Sequence, residues 1–447
     1  MSTGDESRAT DVGAVGGRGG GVFFCTFGSR GDIHPYVAVA RALIARGVPA
    51  TIGTGEEHRE TITGAGVGFV ALPPSRQEFE AGGISMEMVM HETQGGDHIF
   101  KGIVLPWLER SHAALLAAMR AKSYDMLVGH PLAFGAPIVA EQLRLPYVYT
   151  VLQPMILFSA YDPPVIPPLP WFEVFRPLRP WPYRFIFGLA KVVTWRWARP
   201  LRELRAKVGL PRDARHPILG GLVSERLNLA MFSPILGPPQ RDWPPNTVAT
   251  GACLFDDAAA ATGSAELERF LEAGEAPVLF TLGSAAVDVA GAFYEHAVEA
   301  CGRVGRRCVL LVGKQPVPRG CDGVRALAVG YAPYSRVMGR CAAVVHQCGA
   351  GTTAEAMRAG APQVCVPFAH DQPDNAARLV RLGVAAKVKR KRVGVESLEG
   401  ALRRVLDPGE GFVERARKVG AEARNEDGAA RAAEAIVGVM AGTGARA

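Results

Sequence analysis

Residues 341–360 read CAAVVHQCGAGTTAEAMRAG. The apolar, partly β-branched run 341–345 has the composition of a short buried strand, and AEAMRAG at 354–360 has helical composition and closes on Gly360, a helix stop. The order is therefore strand, tight turn, helix start. The first N–H groups of a helix lack partners and the helix dipole adds a partial positive charge, so such a turn suits a phosphate. Its glycines let an anion approach closely. The chain carries no G-x-x-x-x-G-K-[ST] lysine for a nucleoside triphosphatase and no G-x-G-x-x-G for a dinucleotide fold. His346 stands just before the turn, where its imidazole is expected to donate to a diphosphate oxygen.

Outward from this turn, strand-length apolar runs alternate with helical patterns twice over. The first half holds VFFCTF at 22–27, a helical stretch at 35–46, ATIGT, GFVAL, a helical region near 103–121, DMLVG at 125 and YVYTVL at 147. The second half holds PVLFTL at 277, a helix around 291–304, RCVLLVG at 307, VRALAVG at 324, AAVVH at 342 and PQVCVPF at 362. Strand, helix, strand in repetition means a parallel sheet with crossovers, hence an α/β chain of two doubly wound, Rossmann-like domains. The proline-rich stretch SPILGPPQRDWPPN at 233–246 marks the join. The expected division is a disordered tail over 1–21, an N-terminal domain over 22–235, a linker over 236–250, a C-terminal domain over 251–420, and a C-terminal helix and tail over 421–447. Ligands of such sheets bind at the carboxyl ends of the strands, so the cleft between the facing domains is the expected site.

Composition agrees with this plan. At 447 residues the chain exceeds the usual single domain, and 48% hydrophobic with 21% charged residues describes a globular protein with ample core. No apolar stretch approaches the length of a bilayer span, and the polar, glycine-rich start lacks the apolar run of a signal peptide. The eight cysteines form no C-x-x-C pair and no zinc spacing. They read as reduced core residues of a cytoplasmic protein.

A second informative stretch, GSRGDIHP at 28–35, follows the first strand. Pro35 suits a first helical position, and the loop before it carries Asp32 and His34 toward the cleft. Either group there can serve as general base on an acceptor held in the first domain. The lesser alternative is that Asp32 merely favours the helix N-terminus.

These residues carry a family resemblance. HQCGAGTTAEAMRAGAPQVCVPFAHDQPDNAARLVRLG, 346–383, resembles the donor-binding signature of glycosyltransferase family 1, enzymes of the GT-B fold with two facing Rossmann-like domains. GSRGDIHPYVAVARALIARG is similar to the N-terminal motif of sterol and glycopeptide glucosyltransferases, and PPQRDWPPN, TGACLFD and ERFLEAGEAPVLFTLGS resemble the bacterial branch containing the rhamnolipid rhamnosyltransferase catalytic chain. The resemblance implies that His346, with the turn at Gly349, Gly351 and Thr352, holds the diphosphate, helped by Ser284 and by Ser29 and Gly31 across the cleft. It implies Glu355 on the ribose hydroxyls, Asp371 and Gln372 on the sugar, and Tyr331 and Ala332 beside the base. Asp32 falls where the family keeps its catalytic base, and His130 of DMLVGHP falls near the site of that base's partner, with Asp32, His34 and His130 as the catalytic set.

The implied reaction is a single in-line, inverting displacement without a metal, moving a hexose from a nucleotide-diphosphate sugar to an acceptor hydroxyl. No D-x-D cluster is present for a divalent ion. Glu355 favours a uridine donor, UDP-glucose, over a dTDP-deoxysugar, the alternative, because a thymidine nucleotide has no 2′-OH to offer. A sugar-nucleotide epimerase and a non-catalytic nucleotide-sugar-binding partner share the fold; Asp32 argues against the latter. The acceptor is expected to be a hydrophobic alcohol (a lipid, sterol or polyketide) under the aromatic, proline-rich segment 161–197. Between Arg176 and Lys207 nine basic residues stand against one acidic, a surplus larger than the whole chain's +7, interleaved with Trp181, Phe185, Phe187, Trp195 and Trp197. That pattern fits either helices with a solvated basic face or peripheral contact with an anionic membrane. Nothing resembles a nucleic-acid-reading motif.

Overall fold

The computed structural model describes residues 20–166, 169–257 and 264–442. The 1–21 tail expected to be disordered lies outside these up to residue 19, whereas Gly21 donates its N–H to Asp125 at 3.0 Å at the foot of the first sheet.

That sheet is parallel throughout, in the order β3-β2-β1-β4-β5-β6-β7, with β1 Val22–Cys25, β2 Ala50–Thr54, β3 Gly68–Ala71, β4 Met126–Gly129, β5 Tyr147–Val151, β6 Leu227–Ala230 and β7 Thr247–Ala249. The second is also parallel, β10-β9-β8-β11-β12-β13, from β8 Val278–Thr281, β9 Cys308–Leu311, β10 Ala326–Val329, β11 Ala343–His346, β12 Gln363–Cys365 and β13 Ala385–Lys387. In both, the order reverses beside the first strand of the sheet, at β1/β4 and at β8/β11, which opens a crevice at the carboxyl ends. Most of these strands are buried on both faces, which is why they read as continuous apolar runs.

Three strands went unread. β6 and β7 lie between 227 and 249, so the stretch 236–250 set down as a linker ends in a strand of the first sheet. β13 is only three residues, Ala-Ala-Lys. The helix expected from Pro35 starts five residues earlier, over Arg30–Ile44, because Ser29 takes the N-cap and Asp32 the third helical position. Pro35 sits inside that helix, buried. The helix Gly428–Met440 returns to the first domain: Ala432, Ala433, Ile436 and Val439 share a core with Ile33, Val37 and Leu43. Gly428 has no side chain to spare, since a Cβ there would overlap the carbonyls of Gly251 and Ala252.

The domains meet across the cleft through Arg76 and Asp288 at 2.8 Å, Arg390 donating to the Met90 carbonyl at 2.9 Å, and Val165 N–H on Asp374 at 2.9 Å. All eight cysteines are free thiols, mostly buried. Among the described residues no helix is long and apolar enough to cross a membrane.

Candidate active site

On the N-terminal wall, β1 ends and the chain turns through Gly28 into the helix at Arg30. Asp32 Oδ2 accepts Ser29 N–H at 2.8 Å and Ser29 Oγ–H at 3.1 Å. Gly28 has φ 128°, and a Cβ there would overlap Asp32 Oδ2, so only glycine leaves room for the carboxylate. The other oxygen, Oδ1, faces Nε2 of His130 at 3.6 Å. His130 follows β4 and is buried; its Nδ1 accepts Leu132 N–H at 3.1 Å, which places the ring proton on Nε2, toward Asp32. The N–H of a neutral His130 ring therefore points toward the carboxylate. Burial pushes Asp32 upward, but His130 and the Ser29 donors outweigh it and hold the carboxyl below its ordinary value. With its side chain one-third exposed, Asp32 is an ionised acceptor open to the cleft.

His34 is not brought to this pair. Its ring packs edge-on against Phe255 at 5.3 Å, and burial and Arg30 push it down to about 4.

On the C-terminal wall two glycine turns lie side by side, after β8 and after β11. His346 does not reach the cleft. It is fully buried, with Nε2 paired to Gln363 Oε1 at 2.9 Å and Nδ1 accepting Cys348 N–H at 3.2 Å. Both ring nitrogens are spent inside the sheet, and burial holds the imidazole neutral, at about 4. The expected phosphate contact is corrected accordingly: the strand direction points residue 346 inward, and its ring fixes the turn. His346, Cys348 and Cys365 also form the one group among the described residues whose atoms are close enough to share a metal ion.

The next side chain, also buried, is the one set between the turns. Gln347 lies between the two turns, where a Cβ on Gly283 would overlap its amide and one on Gly349 would lie 2.9 Å away. Its Nε2 is 3.3 Å from Thr352 Oγ1, and its Oε1 has no partner although the residue is 6% exposed. The amide is a rotor whose oxygen and nitrogen exchange on a half-turn. Flipped, its oxygen accepts from Thr352 and its NH2 takes the buried position that has no partner. Thr352 bonds Tyr334 at 3.4 Å and Tyr334 bonds Thr281 at 3.0 Å, linking the two strand ends. Gly349 caps the helix Ala350–Ala359, Gly351 has open space around it, and Ser284 is exposed in the neighbouring turn.

One turn into that helix, Glu355 is nine-tenths buried, and burial followed by the charge of Asp256 pushes it up to about 7. Tyr331 lies under the Arg30 guanidinium at 5.3 Å, across the cleft. Ala332 turns its methyl into the core with Leu267 and Val337, so nothing of its side chain borders a ligand. Asp371 precedes the helix Gln372–Arg381. Burial, and after it the charge of Asp32 on the opposite wall, push it up to about 7. Asn375 holds Asp371 at 2.7 Å and the Cys348 carbonyl at 2.9 Å. The Gln372 oxygen is consumed by Phe368 and Ala369 N–H at 2.8 and 3.1 Å; it shapes the loop and has no acceptor left for a sugar.

His370 escaped the sequence reading. It adopts φ 58°, bonds the Val89 backbone of the opposite domain and leaves Nε2 without a partner near Asp32. Cys348, at φ 69°, is the other non-glycine residue in this backbone region beside the cleft, and such strain gathers at working sites. Beyond Phe27 a small, partly open apolar pocket of about 60 Å³ is lined by Leu72, Trp107, Leu132 and Phe134.

Two facing Rossmann-like domains, with a carboxylate on one lip and paired glycine turns on the other, define a GT-B glycosyltransferase. Residues 22–161 match the glycosyltransferase family 28 N-terminal domain, and residues 311–438 match the erythromycin biosynthesis protein CIII-like C-terminal domain. The chain is 35% identical over 420 residues to O-mycaminosyltylonolide 6-deoxyallosyltransferase of Streptomyces fradiae, covering 90% of this chain and 93% of that one. It is 30% identical over 385 residues to dTDP-epi-vancosaminyltransferase of Amycolatopsis orientalis, covering 85% and 88%. A solved glycosyltransferase of kitacinnamycin superposes with a TM-score of 0.70 at 21% identity, covering 95% of this chain and all of that one. The chain belongs to this family of natural-product glycosyltransferases, which draw on nucleotide-sugar donors.

Proposed function

We propose that the protein transfers a hexose from a nucleotide-diphosphate sugar to the hydroxyl of a hydrophobic acceptor in the cytoplasm, with inversion and without a metal. The observation that carries this reading is the ionised, His130-backed Asp32 facing the glycine turns across the cleft. The acceptor O–H gives its proton to Asp32 as its oxygen attacks C1 of the sugar. The C1–O bond to the diphosphate breaks on the opposite face, and the charge gathering on the leaving group is met by the N–H groups at Gly349–Thr352, by Ser284 and by Gln347. Asp371 and His370 border the sugar from the second domain. The small apolar pocket lined by Phe27, Trp107, Leu132 and Phe134 gives the first domain's wall of the cleft an apolar lining, which supports a polyketide, sterol or lipid alcohol over a sugar.

For the nucleotide, Glu355 supports UDP-glucose, whose ribose offers two hydroxyls to one carboxylate. A second reading, a dTDP-deoxysugar, is supported by the relatives named for a deoxyallosyl group and for dTDP-epi-vancosamine. It is also supported by the burial that lifts Glu355 to about 7, since a carboxyl able to hold a proton meets a 2′-deoxyribose without stranding a charge. A panel of UDP- and dTDP-sugars against apolar and polar alcohols, read by mass spectrometry with the anomeric configuration taken from NMR, tests both. Turnover with UDP-glucose exceeding that with dTDP-glucose upholds the first reading and the reverse order the second. Transfer to free sugars only, or retention at C1, overturns the scheme.

A further inference from the structure

After β5 the chain builds a short 3-10 segment, Pro170–Leu178, and the helix Trp181–Thr194. The helix is moored on one side. Tyr183 is buried and stacks edge-on with Phe172 at 5.1 Å, and Phe187 does so with Phe158 at 5.7 Å. On the outer side, Trp181, Phe185, Leu189 and Val192 recur at the spacing of one helical face and stand 70%, 74%, 48% and 71% exposed. Trp171, Val174 and Leu178 of the 3-10 segment extend this surface at 62%, 71% and 63% exposure. Seven large apolar side chains left together in water are far from the scattered exposure of an ordinary surface.

Cations rim the patch. Arg179 and Arg184 make only neutral contacts, to the Arg176 carbonyl and the Tyr161 hydroxyl. Lys191 and Arg196 likewise have no carboxylate partner among the described residues. Arg184 lies over the ring of Trp181 at 5.3 Å. This charge pattern selects the occupant. A second copy docked on the same face would set these cations against one another across a two-fold axis, and an apolar protein partner would bury them unpaired. Phosphate headgroups neutralise them while acyl chains receive the side chains between, with tryptophan at the boundary.

We propose that the face formed by Trp171, Val174, Leu178, Trp181, Phe185, Leu189 and Val192, with Arg179, Arg184 and Lys191, is a docking surface for an anionic lipid bilayer. The helix lies in the plane of the interface. The proposal stands apart from the glycosyl-transfer reading and its test measures no transfer.

The full chain is sedimented with vesicles of phosphatidylcholine and phosphatidylglycerol at about 7:3, and with pure phosphatidylcholine. Binding is expected to the anionic vesicles and to weaken in high salt. At roughly fivefold per cation at low salt, Arg179→Gln/Arg184→Gln/Lys191→Gln is expected to lose affinity on the order of 100-fold. Trp181→Ser/Phe185→Ser/Val192→Ser is expected to lose at least about tenfold. On the unaltered chain, brominated lipid is expected to quench tryptophan emission, a readout independent of how any variant folds. Absence of quenching, undiminished binding by either variant, or a dimer in sedimentation velocity that the apolar triple variant abolishes in place of vesicle binding would each overturn the proposal.

Discussion

Replacing Asp32 by asparagine isolates the proton acceptor from everything else this residue does. The carboxamide oxygen still accepts Ser29 N–H and Oγ–H, contacts now made at 2.8 and 3.1 Å, so the helix start and the Gly28 turn persist. The chain loses the base and the negative charge. General-base loss costs on the order of 10²–10⁴ in kcat, or roughly 3–5 kcal/mol of barrier. Donor affinity, held by the opposite wall, is expected to change by less than about threefold, a difference worth roughly 0.6 kcal/mol. The lost charge leaves a second signature. Burial and Asp32 together push Asp371 up to about 7, so without the Asp32 charge the Asp371 titration moves down toward the ordinary carboxyl range. Steady-state turnover with saturating donor gives the first quantity. Calorimetry with the nucleoside diphosphate gives the second, and the pH dependence of donor binding the third. Retention of more than about a tenth of wild-type kcat would refute the assignment of the base, since even the low end of the range demands more. An unmoved Asp371 titration would refute the action of the Asp32 charge across the cleft.

Two further outcomes are expected. Gln347→Ala lowers nucleoside diphosphate affinity by about tenfold or more, while His346→Ala lowers stability by about 1–3 kcal/mol through the stranded Gln363 and Cys348 groups and leaves the affinity of the folded fraction near wild type; calorimetry and urea unfolding separate them, and the reverse pattern returns the phosphate contact to the histidine. Glu355 binds its proton more tightly in the folded than in the unfolded chain, so its own contribution to stability is full below about 4.5 and falls by about 3 kcal/mol as pH rises to 7, while His34 and His346, buried neutral at about 4, contribute the opposite slope below 6.5; the wild-type urea midpoint compared with that of Glu355→Gln at pH 5 and 8 isolates the carboxyl, and a difference between the two that does not shift against the wild type as pH rises contradicts it.

Much of this architecture is legible in the residues because period and punctuation carry it. Runs such as VFFC, CVLL and AVVH are buried on both faces and so announce a parallel sheet. The short strands failed to announce themselves because three residues like Ala385–Lys387 hold no period, and their place is set by neighbours. In the site, Asp32 was legible because its glycine and serine neighbours follow from local turn chemistry. The inward turn of His346 was not, since it depends on which way one side chain leaves the end of β11. His370 was hidden for a related reason: it bonds the backbone of Val89, nearly three hundred positions away in the chain, which only the fold brings beside it.

The return of the helix Gly428–Met440 to the first sheet ties the order of synthesis to the order of folding. Ala432, Ala433, Ile436 and Val439 seal one side of a core begun by Val22 and Phe24, so this domain, though synthesised before the other, waits for a helix made after it. The second domain, whose six strands lie between Val278 and Lys387, has its whole sheet in hand before that helix is made. Until then the early domain carries an open apolar face, and a ribosome stalled before that helix holds a second domain with its sheet complete beside a first domain still unsealed.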